Sequence, residues 1–199
     1  MLRDATIVDA DSVAMLVLHE LERRQLRRLR RLSKEQLSQL LFVGYHQPRF
    51  RYGYPQARVY QNQGVAVGVA YGYPAAVEST LDNQWTALFA RLQVTPPQQL
   101  VVTPRARPDE WYLDMLTVRA RYQGKTYQQK WFDEWLLGDA IHRAKQTTAV
   151  AMGMDVRPGS QLAKLAAQFG FVAVERRKLD RQTYFHLRLK LREKADTQL

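Results

Sequence analysis

Glu110 and Asp114 stand four residues apart in the run Glu-Trp-Tyr-Leu-Asp-Met-Leu-Thr-Val. In an extended strand side chains alternate between faces, so this spacing puts both carboxylates on one face with Tyr112 between them. A carboxylate within hydrogen-bond reach of an acidic proton can act as a general base, which makes these two the candidate proton acceptors. Just beyond them, Arg121-Tyr122-Gln123-Gly124-Lys125-Thr126 supplies side-chain cations and the Thr126 hydroxyl. If a strand turns into a helix there, free backbone N–H groups and the positive end of the helix dipole converge on the same point, a setting suited to a phosphate group. Gly124-Lys125-Thr126 looks like the end of a nucleotide-triphosphate loop, but Arg119 occupies the position of that loop's opening glycine. Its β-carbon obstructs the tight backbone the loop requires.

Other chemistries find no support. The chain has no cysteine, which removes thiolate catalysis, zinc-thiolate sites and disulfides. His19, His46, His142 and His186 show no paired metal-ligand spacing, and no Gly-x-Ser-x-Gly elbow is present. We expect no metal.

The elements that must position these residues follow from periodicity. Leu2 to Val8 reads as a strand. Asp9 or Asp11 then caps an amphipathic helix that extends through Val13 and Leu16 to Leu32. Ser33 with Gln36 forms a capping box for a second helix over Lys34 to about Val43. Arg58–Gln61 and Val65–Tyr73 flank an Asn62-Gln63-Gly64 turn as a hairpin, and Thr80 to Leu92 is helical until Pro96-Pro97. Glu110 to Val118 is a strand. A short polar turn leads to a helix from Gln123 or Thr126 to Ala144, followed by a strand from Thr148 to Met154. A helix over Ser160 to Gln168, stopped by Gly170, and an antiparallel pair, Phe171–Leu179 with Tyr184–Leu191, close the chain.

The run Trp111 to Val118, then Gln123 to Gln128, then Gly170-Phe171 resembles the GNAT-type N-acetyltransferases, and the element order is similar to theirs. The resemblance implies an α/β (α+β) fold with a mixed, mostly antiparallel central sheet flanked by helices, one domain over residues 1–199 with a frayed tail after about 193. It also implies acetyl-CoA as co-substrate and a small-molecule amine or peptide amine as acceptor. Leu116, Thr117 and Val118 would face the pantetheine arm, with the Leu116 N–H as oxyanion donor. Gln123, Gly124, Lys125, Thr126, Tyr127 and Gln128 would face the pyrophosphate, and Glu110 or Asp114 would be the base. The family's turn reads Arg or Gln, two residues, Gly, one residue, then Gly or Ala, whereas here Thr126 and Gln128 occupy the small positions. The family's Asn and acid Tyr positions fall on Gly159 and Ala166, which leaves Tyr127 or Tyr184 as substitutes.

Composition bounds the alternatives. With 30 Lys+Arg against 19 Asp+Glu, the formal charge is +11, a field that attracts anions. Arg23, Arg24, Arg27, Arg28, Arg30 and Arg31 gather on one side of the first helix, within an arc of about 160°. That side is the feature that favours nucleic acid or another polyanion. No recognised nucleic-acid module accompanies it. The start lacks an apolar signal core and no run is long enough to span a membrane, so the expected location is the cytoplasm. A non-catalytic binding domain of the same fold, and a homodimer through the closing strands or first helix, stay open.

Overall fold

In a computed structural model of the chain, residues 1–24, 29, 32–93, 104–123, 126, 127, 130–179 and 182–192 are described. The elements in chain order are β1 (Leu2–Asp4), α1 (Ala10–Arg24), α2 (Lys34–Tyr45), β2 (Ala57–Asn62), β3 (Val65–Pro74), α3 (Glu78–Arg91) and β4 (Glu110–Val118). They continue with β5 (Thr126–Tyr127), β6 (Lys130–Trp131), α4 (Phe132–Lys145), β7 (Ala151–Val156), α5 (Gln161–Gln168), β8 (Val172–Leu179) and β9 (Gln182–Lys190). Every residue of β4 is buried, as expected of a central strand covered on both faces.

Seven strands form one sheet in the order β1-β2-β3-β4-β7-β9-β8, and β5 pairs with β6 apart from it. Within the sheet only β4 and β7 run parallel. Their connection contains α4, the crossover a parallel pair needs. The fold is therefore a mixed, mostly antiparallel sheet between helices. Leu16, Leu40 and Trp85 from α1, α2 and α3 pack with Val69, Tyr71 and Met115 on one face. Leu136 and Leu165 from α4 and α5 pack with Val67, Leu113 and Leu116 on the other. Among the described residues no helix is long and apolar enough to cross a membrane.

Most expected elements are present, and the capping box forms as read: Ser33 accepts from the Gln36 amide and Gln36 from that of Ser33. The strand expected over Thr148 to Met154 is Ala151–Val156, and three other boundaries differ further. The first strand stops at Asp4, because Asp9 accepts from the Thr6 amide and hydroxyl and turns Ile7–Asp9 into a 3-10 helix before α1 begins. The helix expected to reach Leu32 is described to Arg24, and Arg27, Arg28, Arg30 and Arg31 lie outside the described residues. The helix expected from Gln123 or Thr126 starts instead at Phe132. Gln123 is extended (φ −63°, ψ 136°), and the β5–β6 pair occupies the intervening chain, so helical hydrogen bonding cannot propagate from the turn.

Two expectations follow. Both guanidinium branches of Arg3 bind the buried Asp9 carboxylate at 2.7 Å. Burial alone would raise that carboxyl's pKa, but Arg3 and the Thr6 groups outweigh it and hold it below its usual value. Its contribution is thus complete above about pH 4 and is lost as pH falls through the lowered folded value. Urea unfolding of Asp9→Asn should show a loss of about 1.5–3 kcal/mol at neutral pH, and the difference from wild type should shrink in acid. Equal loss at every pH would disprove the assignment. A β-carbon on Gly72 would overlap the Trp111 indole, itself buried, so Gly72→Ala should cost about 1–3 kcal/mol in the same measurement.

Candidate active site

β4 and β7 share four register pairs, from Glu110↔Ala151 to Leu113↔Met154, and then part. β4 continues alongside β3 to Val118, while Asp155 and Val156 of β7 pair with β9 alone. The parting starts at a β-bulge. Gly72 lies opposite Leu113 and Tyr71 opposite Met115, so Asp114 is an extra residue that bends β4. The end of α1 bridges the two strands. Arg24 donates to the Asp114 carbonyl at 2.8 Å, and Arg157, just after β7, donates to the Arg23 carbonyl at 2.9 Å.

Hydrogen-bond alternation decides what faces the resulting cleft. The Arg119 N–H donates to the Val67 carbonyl at 2.8 Å, so the amides of Met115 and Thr117 point to β3 and those of Leu116 and Val118 point away from it. The Val118 carbonyl accepts from the Gln123 side chain at 2.9 Å. Between the Asp114 and Val118 carbonyls, each bonded to a side chain, the N–H and C=O of Leu116 are directed into a cavity of about 210 Å³. Its other walls come from the end of α1, the start of α5, Asp155, Arg157 and Tyr184. An amide-bearing chain laid along β4 would fit there as a substitute strand, with Leu116 as its partner.

The sequence-derived residues divide. Leu116, Thr117, Val118 and Gln123 line the cleft together. Gly124, Lys125 and Gln128 lie outside the described residues, while Thr126 and Tyr127 form β5. The expected passage from strand through short turn into helix is replaced by a 3-10 turn over Ala120–Tyr122 and the β5–β6 pair. The start of α4 is moreover self-capped: Glu134 accepts from the Trp131 amide at 3.2 Å and Asp133 from the Glu134 amide at 3.1 Å. Two acidic side chains already answer the dipole there, so that helix start does not suit a further anion.

Glu110 and Asp114 are both buried with no exposed side-chain surface. Asp114 lies among guanidinium groups, with Arg105 at 3.0 Å and Arg51 at 3.5 Å. Burial alone would raise its pKa, but Arg51, Arg105 and Arg24 hold it below its usual value. Glu110 accepts from the Arg107 amide at 2.9 Å and meets His186 and Arg188, each at 3.0 Å. Gly153 makes room for it, since a β-carbon there would overlap the carboxylate. Neither acid is among the residues that line the cleft.

Asp155, Arg157 and His186 escaped sequence reasoning. The alternation of His186 with Tyr184 along β9 is the available signal. Tyr184 lines the cleft, with Arg157 donating toward its hydroxyl at 3.4 Å. Ala166, at the family's acid position, is wholly buried in α5. Among the described residues no group of three or more His, Asp or Glu side chains is arranged to hold a metal ion.

The sequence matches no family model and no curated protein. Solved structures do match. A protein described as an acetyltransferase is 30% identical, with 96% of this chain and 99% of that one covered and a TM-score of 0.81. An N-acetyltransferase from Staphylococcus aureus Mu50 is 21% identical over 95% of this chain and 100% of that one, with a TM-score of 0.79. The yncA protein of Salmonella typhimurium, solved with its cofactor acetyl-CoA, shares the fold at 16% identity and a TM-score of 0.59, with 100% and 97% covered. A central strand that parts from its parallel neighbour, its amides turned into the gap, and a relative of that identity matched over nearly its whole length place this chain in the GNAT family of N-acetyltransferases.

Proposed function

We infer that this chain transfers the acetyl group of acetyl-CoA to an amine carried by a small molecule or a peptide. The observation that carries this reading is the Leu116 amide directed into the cleft where β4 and β7 have parted. Acetyl-CoA supplies a thioester, and its pantetheine arm bears amides that can complete the interrupted ladder along Leu116, Thr117 and Val118. A backbone N–H held by a fixed strand needs no reorganisation to stabilise negative charge on a carbonyl oxygen, which suits Leu116 as the oxyanion donor. Gln123, Gly124, Lys125, Thr126, Tyr127 and Gln128 are the candidates for the pyrophosphate end. Tyr184, a residue 7% exposed with its ring beside the Arg157 guanidinium, is the candidate donor of a proton to the departing sulfur.

A second reading, a binding domain without efficient turnover, has one observation in its favour: the α4 start already carries Asp133 and Glu134 on its amides. A thermal-shift titration separates the two. Acetyl-CoA at about 100 times its dissociation constant should stabilise the protein by about 2.7 kcal/mol. No shift at millimolar ligand would remove the acetyltransferase reading, and a shift without acetylation of any amine would favour the binding domain. For an amine that is acetylated, Tyr184→Phe should lower kcat by about 10–100-fold and leave the KM for acetyl-CoA within about threefold. An unchanged kcat would exclude Tyr184 as the proton donor.

A further inference from the structure

His186 lies between two carboxylates. Its Nδ1 is 2.8 Å from Asp155 Oδ1 and its Nε2 is 3.0 Å from Glu110 Oε1, with the ring wholly buried. An ionised carboxylate only accepts, so this geometry is satisfied when both ring nitrogens carry hydrogen. Burial alone would lower the ring's pKa, but the hydrogen bonds and charges of Asp155 and Glu110 outweigh it and hold it above its usual value.

The surrounding charges come from every neighbouring strand. Tyr112 of β4 lies parallel to the imidazole, centroids 6.3 Å apart, and donates its hydroxyl to Asp155 Oδ2 at 2.9 Å. Arg188 of β9 stands 3.0 Å from Glu110. From β8, Arg177 stands 3.4 Å from Asp155 and is held by Glu175 at 2.9 Å. Glu110 and His186 are sealed, whereas Asp155, at the end of β7 that has parted from β4, lines the cleft with 5% of its side chain exposed. Two other acids line it. Glu20 binds Arg23 and Arg24, and Asp133 accepts from the Glu134 amide at 3.1 Å while burial holds its pKa above the usual value.

We propose that Asp155 is the base of this site, taking a proton from the acceptor's ammonium group, and that His186 and Glu110 are positioning residues that hold its carboxylate toward the cleft. The proposal rests on the acetyl-transfer reading. An N–H bond of the ammonium breaks and its proton moves to an Asp155 carboxylate oxygen. The freed electron pair forms the C–N bond to the thioester carbonyl carbon. The C–S bond then breaks with its electrons on sulfur, and the second nitrogen proton is balanced by protonation of that sulfur. Asp155 returns its proton to water at the open side of the cleft.

The test is acetyl transfer from acetyl-CoA to a panel of primary amines, namely amino-acid amides, polyamines and short peptides, followed from about pH 6.5 to about pH 9.5. Asp155→Asn keeps an acceptor for His186 and should fold. Its kcat/KM should fall by about 100-fold at the acid end, and the deficit should shrink to within about tenfold at the alkaline end, where the amine loses its proton unaided. Glu110→Gln weakens the hold on the imidazolium and should move the acid limb of the profile, with the KM for acetyl-CoA kept within about threefold. A wild-type rate in Asp155→Asn, or a deficit equal at every pH, overturns the proposal. Wild-type protein that is stabilised by acetyl-CoA yet acetylates none of the panel also overturns it. Wild-type protein that does not bind acetyl-CoA instead defeats the reading on which the proposal rests.

Discussion

After Leu113 and Met154, β4 and β7 no longer share a ladder, and the arrangement of the site follows from that parting. A buried strand must satisfy its amides, so an interrupted ladder in the middle of a sheet needs other partners. Here the Asp114 and Val118 carbonyls receive the side chains of Arg24 and Gln123. Leu116, between them, is left to whatever enters the cleft. The bulge at Asp114 starts the divergence, and the Arg24 and Arg157 hydrogen bonds tie the end of α1 to both sides of it.

The same region contains an unusual density of buried charge. Asp114, Arg51, Glu78 and Tyr73 form one group beside β4, and Glu110, His186, Asp155 and Tyr112 form another across β4, β7 and β9. Such groups gain little net stability over apolar packing of the same volume, yet removal of one member typically costs about 3–5 kcal/mol. Their effect is therefore to fix which carboxylate points where. Asp114 is enclosed by guanidinium groups, and of the acids joined through His186 only Asp155 reaches the cleft.

Much of this was legible in the residues. β4 begins and ends where the alternation of Glu110 to Val118 placed it, and the Ser33–Gln36 box starts α2 as read. Local rules sufficed because each depends on near neighbours in the chain. The start of α4 differs from the expectation because Gln123 to Trp131 contains no proline and a single glycine, Gly124, and a two-residue β5–β6 pair leaves almost no periodicity to detect. Asp155, His186 and Glu110 were unreadable as a group for a different reason. They meet only through the β4–β7–β9 register, in which residues 76 positions apart come within hydrogen-bond distance. Gly153 gave no sign from sequence that its missing side chain leaves the space Glu110 occupies.

The sheet can also be viewed mechanically, as two antiparallel leaves, β1-β2-β3-β4 and β7-β9-β8, joined along one seam of four residue pairs. A change in the angle between the leaves flexes that seam and leaves the ladders within each leaf intact. Beside the apolar packing of Trp111 and Leu113 with Met152 and Met154, polar side chains cross it: Glu110 reaches His186 over Gly153, and Tyr112 donates to Asp155. Because the imidazole's pKa is raised in the folded protein, this stitch is strongest below about pH 6.5 and weakens as pH rises through the folded value. A single buried proton thus lies on the hydrogen bond that runs from Glu110 of one leaf to His186 of the other.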